Sequence, residues 1–108
     1  INNSGNLVVD GPTVSVVKDG NTANTKFSHA LYAVNNSGTF TLENGRIENY
    51  HNIAVRQWVG SETKASTITV NGGEIYGLRA IWIQLPNNNT ALAPVGVLNV
   101  NGGSKIKL

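Results

Sequence analysis

Three observations predict an all-β chain, a right-handed parallel β-helix of three to four coils with three strand faces per coil. A strand-like phrase returns at a nearly constant period, and apolar residues alternate within it with a period of two. No long segment carries the three-and-four spacing of an amphipathic helix. The phrase reads Gly5-Asn6-Leu7-Val8-Val9-Asp10-Gly11, then Gly38-Thr39-Phe40-Thr41-Leu42-Glu43-Asn44-Gly45. Its third copy is Ser66-Thr67-Ile68-Thr69-Val70-Asn71-Gly72-Gly73, and its fourth is Gly96-Val97-Leu98-Asn99-Val100-Asn101-Gly102-Gly103. The copies begin at residues 5, 38, 66 and 96, spacings of 33, 28 and 30. A strand that recurs in this way buries its apolar side against its own neighbours in a stack.

The first repeat opens with Leu7 and Val9 facing inward, turns at Asp10-Gly11 and continues to Val14. Lys18 to Ser28, with Asp19-Gly20-Asn21, reads as a loop, and His29 to Val34 as the next strand. Ala30-Leu31-Tyr32-Ala33 there matches Ala80-Ile81-Trp82-Ile83. The second repeat supplies Phe40 and Leu42, the Asn44-Gly45 turn, Ile47, and then Ile53 and Val55. The third supplies Ile68 and Val70, Asn71-Gly72, Ile75, and then Ile81 and Ile83. Aligned without a gap, Ile47 falls on Ile75, Ile53 on Ile81, Val55 on Ile83 and Gln57 on Leu85. The last repeat holds Leu98 and Val100, with Ile106 displaced from the Ile47–Ile75 column. These positions make three inward columns, and the coils run approximately 5–37, 38–65, 66–95 and, in part, 96–108.

Asn-Gly is also the strongest short hairpin signal, so an antiparallel meander or sandwich is the competing architecture. A hairpin partner should match its neighbour in length. The residues after each turn instead give one apolar position and then more polar residues or Gly77, which favours stacked coils.

The run Ser66 to Tyr76, followed by Arg79-Ala80-Ile81-Trp82-Ile83, resembles the pectate-lyase-like β-helix repeats of secreted and surface-displayed bacterial proteins, including adhesin-like and autotransporter passenger regions. The resemblance extends from about Gly5 to Ile106. It implies an extracellular or cell-surface setting. That scaffold carries lyases, hydrolases, phage tail spikes and passive stalks alike, so the resemblance speaks to architecture and leaves activity open.

At 108 residues the chain is a single β-helix segment, read here as a piece of a longer solenoid whose further coils would be partners. It has no cysteine, hence neither disulfides nor thiolate metal sites. Its net charge is +2, and the basic residues form no run of the kind a nucleic-acid footprint needs. No apolar stretch is long enough for membrane insertion as a helix. No cofactor and no metal are expected.

Candidate sites lie on the outward columns. Thr39 and Thr41 stack with Thr67 and Thr69, a pattern that β-propensity and cross-strand pairing explain. Asp10 and Glu43 share a column with Asn71 and Asn101, too few oxygens for calcium and unsupported as an acid/base pair. Arg46 and Glu74 occupy one phase with opposite charge, and His51 and Arg79 share another. The aromatic residues carry the functional expectation. Tyr32 and Trp82 fall at matching phases with Ala54 between them, both facing out, with Trp58 and Arg79 nearby. An exposed ring platform of this kind stacks on the C–H faces of sugars or on a protein partner. The expected ligand-binding residues are therefore Trp82, Tyr32, Trp58 and Arg79, beside the loops Val59 to Ala65 and Pro86 to Val95 that leave the repeat at one phase.

The expected role is non-catalytic, a structural spacer or adhesin-like module contacting polysaccharide or a host or cell-surface glycan. The alternative is part of a polysaccharide lyase, a glycoside hydrolase or a phage tail spike. No catalytic residue is expected.

Overall fold

The computed structural model describes residues 1–16, 31–59, 66–84 and 96–107, which form strands and no helix. The strands are β1 (Asn2–Asn3), β2 (Asn6–Val16), β3 (Tyr32–Asn36), β4 (Thr39–Trp58), β5 (Ser66–Val70), β6 (Glu74–Gln84), β7 (Gly96–Val100) and β8 (Lys105–Lys107). Every pairing among them is parallel. The sheet runs β1-β3-β4-β5-β7, with β2 beside β4 and β6 between β4 and β8. The hairpin alternative fails at its own turns. Strand β4 passes straight through Asn44-Gly45, and β5 and β6, which flank Asn71-Gly72-Gly73, each pair with β4. The expected loop Lys18 to Ser28, most of both aromatic-side loops and Leu85 lie outside the described residues.

Two of the expected inward columns are present in register. Leu7, Phe40, Ile68 and Leu98 align across consecutive repeats, as do Val9, Leu42, Val70 and Val100. Phe40, Leu42, Ile68 and Val70 are fully buried, whereas Leu98 and Val100 in β7 are 38% and 50% exposed. Val14, Ile47, Ile75 and Ile106 form the second column. Ile106 is thus in phase rather than displaced. The additional residue of its repeat is taken up in the Asn101–Ser104 turn, where Ser104 N–H donates to Asn101 O.

The third column departs from the gapless alignment. Ile47 pairs with Ile75 and Asn49 with Gly77, an offset of 28, but Ile53 pairs with Arg79 and Val55 with Ile81, an offset of 26. The cause is Asn49, a fully buried amide. Its Nδ2 donates to Leu31 O at 3.3 Å and Ile53 O at 3.1 Å. Its Oδ1 accepts from His51 N–H at 3.0 Å and Asn52 N–H at 3.1 Å. The amide caps a local turn, and the three residues Tyr50 to Asn52 stand against Leu78 alone, two more than the ladder needs. A slip of two residues returns every side chain to the same face, so alternation cannot reveal it. Val34, Val55 and Ile81 are the true neighbours, and Gln57 stands opposite Ile83 rather than Leu85. Ala33 and Ala54 are buried beside them in the same core cluster.

Two further columns hold the bends. Gly11, Gly45, Gly73 and Gly103 all adopt positive φ, at 110°, 103°, 72° and 88°. A Cβ on Gly45 would sit 2.3 Å from Pro12 O, and one on Gly73 would sit 2.5 Å from Gly45 O. The glycine that closes the repeated phrase therefore supplies both the bend and the room for the next bend to lie on it. At the opposite bend Asn3, Asn36 and Gln57 stand in one row. Each side-chain amide donates to a carbonyl of the following repeat: Asn3 to Thr39 O at 2.8 Å, Asn36 to Thr67 O at 3.1 Å and Gln57 to Val97 O at 3.1 Å. Asn36 also donates to Gly38 O and accepts from Gly38 N–H. Backbone groups that a bend would leave unpaired are satisfied from inside the fold.

Candidate functional site

Strand β4 carries two arginines that the fold treats differently. Arg46 follows the glycine bend, in one row with Thr13, Glu74 and Lys105. Its Nε lies 2.5 Å from Glu48 Oε2, its Nη1 lies 3.6 Å from Glu74 Oε1, and its Nη2 donates to Tyr50 Oη at 3.0 Å. Lys107 Nζ reaches Glu74 at 3.2 Å, and Tyr50 and Tyr76 rings meet at 4.9 Å. Partial desolvation lowers the Arg46 pKa, but the charges of Glu48, Tyr50 and Glu74 and the Glu48 bond outweigh it, and the pKa is raised. Two carboxylates thus hold Arg46 in this corner. A shallow groove of about 270 Å³ runs beside it, lined by Gly45, Arg46, Gly73, Glu74, Gly103 and Lys105.

Arg56 lies ten residues on along β4 (56 − 46), in one row with Asn35 and Trp82. Its guanidinium carbon lies 4.4 Å from the centre of the Trp58 ring and 5.0 Å from that of Tyr32. Its Nε–H donates to Gln84 Oε1 at 2.8 Å, and Nη1 donates to Asn35 Oδ1 at 3.4 Å. All these side chains are half-buried. Cation–π contacts of this kind contribute roughly 0.5–1 kcal/mol each near the surface. The acceptors are neutral amides. Among the described residues no carboxylate reaches Arg56; two rings and two amides order its guanidinium.

Of the residues expected to bind ligand, Tyr32 and Trp58 are brought together through Arg56. Trp82 occupies the row of Arg56 and holds Arg79 over its ring at 5.3 Å. Tyr32 and Trp82 do not share a phase. Tyr32 stands opposite Ile53, and Ile53 opposite Arg79, because of the two-residue slip at Asn49. Ala54 is fully buried and is no floor between the two rings. The same slip puts Arg79 opposite Ile53 rather than His51. Sequence reasoning passed over Gln84 and left Arg56 out of the expected ligand-binding set. The available signal was the two-residue spacing of Arg56 and Trp58, which places both on one face.

The remaining columns are simpler. Thr39 pairs with Thr67 and Thr41 with Thr69, with Asn99 Nδ2 donating to Thr69 Oγ1. Asp10 does not stand beside Glu43. A bulge after Val9 puts it opposite Asn44, while Glu43 accepts from Asn71 Nδ2 at 3.0 Å. The described residues contain no cluster of three or more His, Cys, Asp or Glu able to hold a metal ion. They contain no helix long and apolar enough to cross a membrane.

No protein-family model, curated protein or solved structure matches this chain.

Proposed function

We propose that this chain is a right-handed parallel β-helix segment of the pectate-lyase-like kind, acting as a non-catalytic module of a secreted or cell-surface protein. Its role is that of a rigid spacer or adhesin-like element that meets glycan through the face built around Arg56. The helical stacking is supported by in-phase parallel pairing of successive repeats at two bends and three apolar columns. Right-handedness follows from the near-universal hand of parallel crossovers.

The observation that carries the binding role is the Arg56 cluster. Tyr32 and Trp58 lie over one guanidinium, Trp82 lies beside it, and Gln84 and Asn35 fix its orientation. Flat rings next to oriented N–H donors match a sugar, which offers C–H faces for stacking and hydroxyl oxygens as acceptors. Ordering these groups before binding removes part of the entropic cost of complex formation.

A glycan array read with the chain, with Trp82→Ala and with Arg56→Gln tests the reading. Binding by the parent chain that both variants weaken is expected. Unchanged binding in both variants, or none by the parent chain, contradicts it. Depolymerisation of a polysaccharide by the chain would overturn the non-catalytic assignment.

A further inference from the structure

The corner around Arg46 holds a tyrosine pair that the Arg56 face does not use. The chain has three tyrosines. Tyr32 meets Arg56, whereas the rings of Tyr50 and Tyr76 meet each other, 4.9 Å between centres and tilted by 49°. That separation lies at the close end of the range of about 4.5–7 Å for packed aromatic pairs. One guanidinium positions both rings. Arg46 Nη2 donates to Tyr50 Oη at 3.0 Å, and Arg46 Cζ lies 5.3 Å from the centre of the Tyr76 ring. Tyr50 Oη–H in turn donates to Glu48 Oε2 at 3.3 Å.

The two rings belong to consecutive repeats and differ in freedom. Tyr76 sits on β6 opposite Glu48 of β4, within the ladder. Tyr50 is 49% exposed and is one of the three β4 residues that stand against Leu78 alone. Its ring is open to a reagent from solvent, and it can tilt toward Tyr76 while the ladder on either side of the slip stays paired.

We propose that Tyr50 and Tyr76 are an oxidative cross-linking site, joined ring carbon to ring carbon by a haem peroxidase acting with hydrogen peroxide. A phenol that loses one electron becomes a strong acid at its O–H. For Tyr50 the hydrogen bond to Glu48 offers that proton a carboxylate, from which it passes to water. The unpaired electron then spreads to the carbons beside the phenol oxygen. The same loss at Tyr76, whose proton leaves to water, gives a second radical in contact with the first. The two carbons form one bond, and the hydrogen on each moves to its own oxygen, which restores both phenols. The pair has given up two electrons and two protons, and these reduce one peroxide to two waters. The bond ties β4 to β6 across the slip at Asn49.

Treatment of the full chain with a haem peroxidase and hydrogen peroxide tests this, read by dityrosine fluorescence, intact mass and peptide mapping. The expected product is a monomer lighter by two hydrogen atoms, with the Tyr50 and Tyr76 peptides joined. Its yield should not depend on chain concentration. Tyr50→Phe and Tyr76→Phe are each expected to abolish the bond, and Glu48→Gln to slow its formation several-fold. The joined chain should show a raised urea midpoint, because the bond closes a loop spanning 26 residues (76 − 50). Peptide mapping of the parent chain decides the site even where a variant fails to fold. Bonds formed only between chains, a bond that uses Tyr32, or oxidation confined to Trp58 and Trp82 overturns the proposal. An unchanged rate in Glu48→Gln overturns the part given to Glu48.

Discussion

Arg46 and Arg56 lie on one strand and each touches a tyrosine, but among the described residues only Arg46 meets a carboxylate. Arg46 is held by Glu48 and Glu74, and Lys107 completes an alternation of charge across the bend. Arg56 is held by two rings and two amides, with no carboxylate among the described residues. The first arrangement consumes its charge within the chain. The second orients a charge with groups that carry none of their own. What separates them is the neighbour each receives from the adjacent repeat, Glu74 in one case and Trp82 in the other.

The comparison can be broken most severely at the bend that supports Arg46. Gly45→Ala places a Cβ 2.3 Å from Pro12 O at a φ of 103°. It is expected to cost roughly 3 kcal/mol, read as a lowered urea midpoint, and to disturb both arginines through the shared strand. Asn36→Ala acts below Arg56. It removes an amide bonded to Gly38 and Thr67, for an expected loss of about 2–3 kcal/mol in the same measurement.

Replacing the arginines themselves separates their roles. Arg56→Gln is expected to weaken glycan binding about tenfold while lowering stability by about 1 kcal/mol. Arg46→Gln should leave binding unchanged. Its stability cost should be small and should shrink as salt is added, because the pair is partly exposed. Equal effects of the two substitutions on binding would remove the distinction.

Much of this was legible from sequence for a definite reason. The columns led by Phe40 and Leu42, and by Ile47 and Ile75, were readable because turn and strand recur together at one phase. The parallel pairing followed from the unequal partners beside each Asn-Gly turn. The Arg56 face was not readable, because its composition depends on the register beyond Asn49. Val55 is apolar whether its neighbour is Ile81 or Ile83, so the pattern is blind to a slip of two. The slip is set by hydrogen bonds of one buried amide to backbone groups, and backbone groups carry no signature in a sequence. The Asn3–Asn36–Gln57 row was hidden for the same reason, its residues being polar at inward positions.

The site around Arg56 depends on that register, which places Trp82 rather than Gln84 beside Arg56. Inter-strand nuclear Overhauser contacts between backbone protons of β4 and β6 measure it directly. The expected contacts join Arg56 to Trp82 and Val55 to Ile81. Contacts joining Ala54 to Trp82 and Val55 to Ile83 would contradict it and would dissolve the site around Arg56.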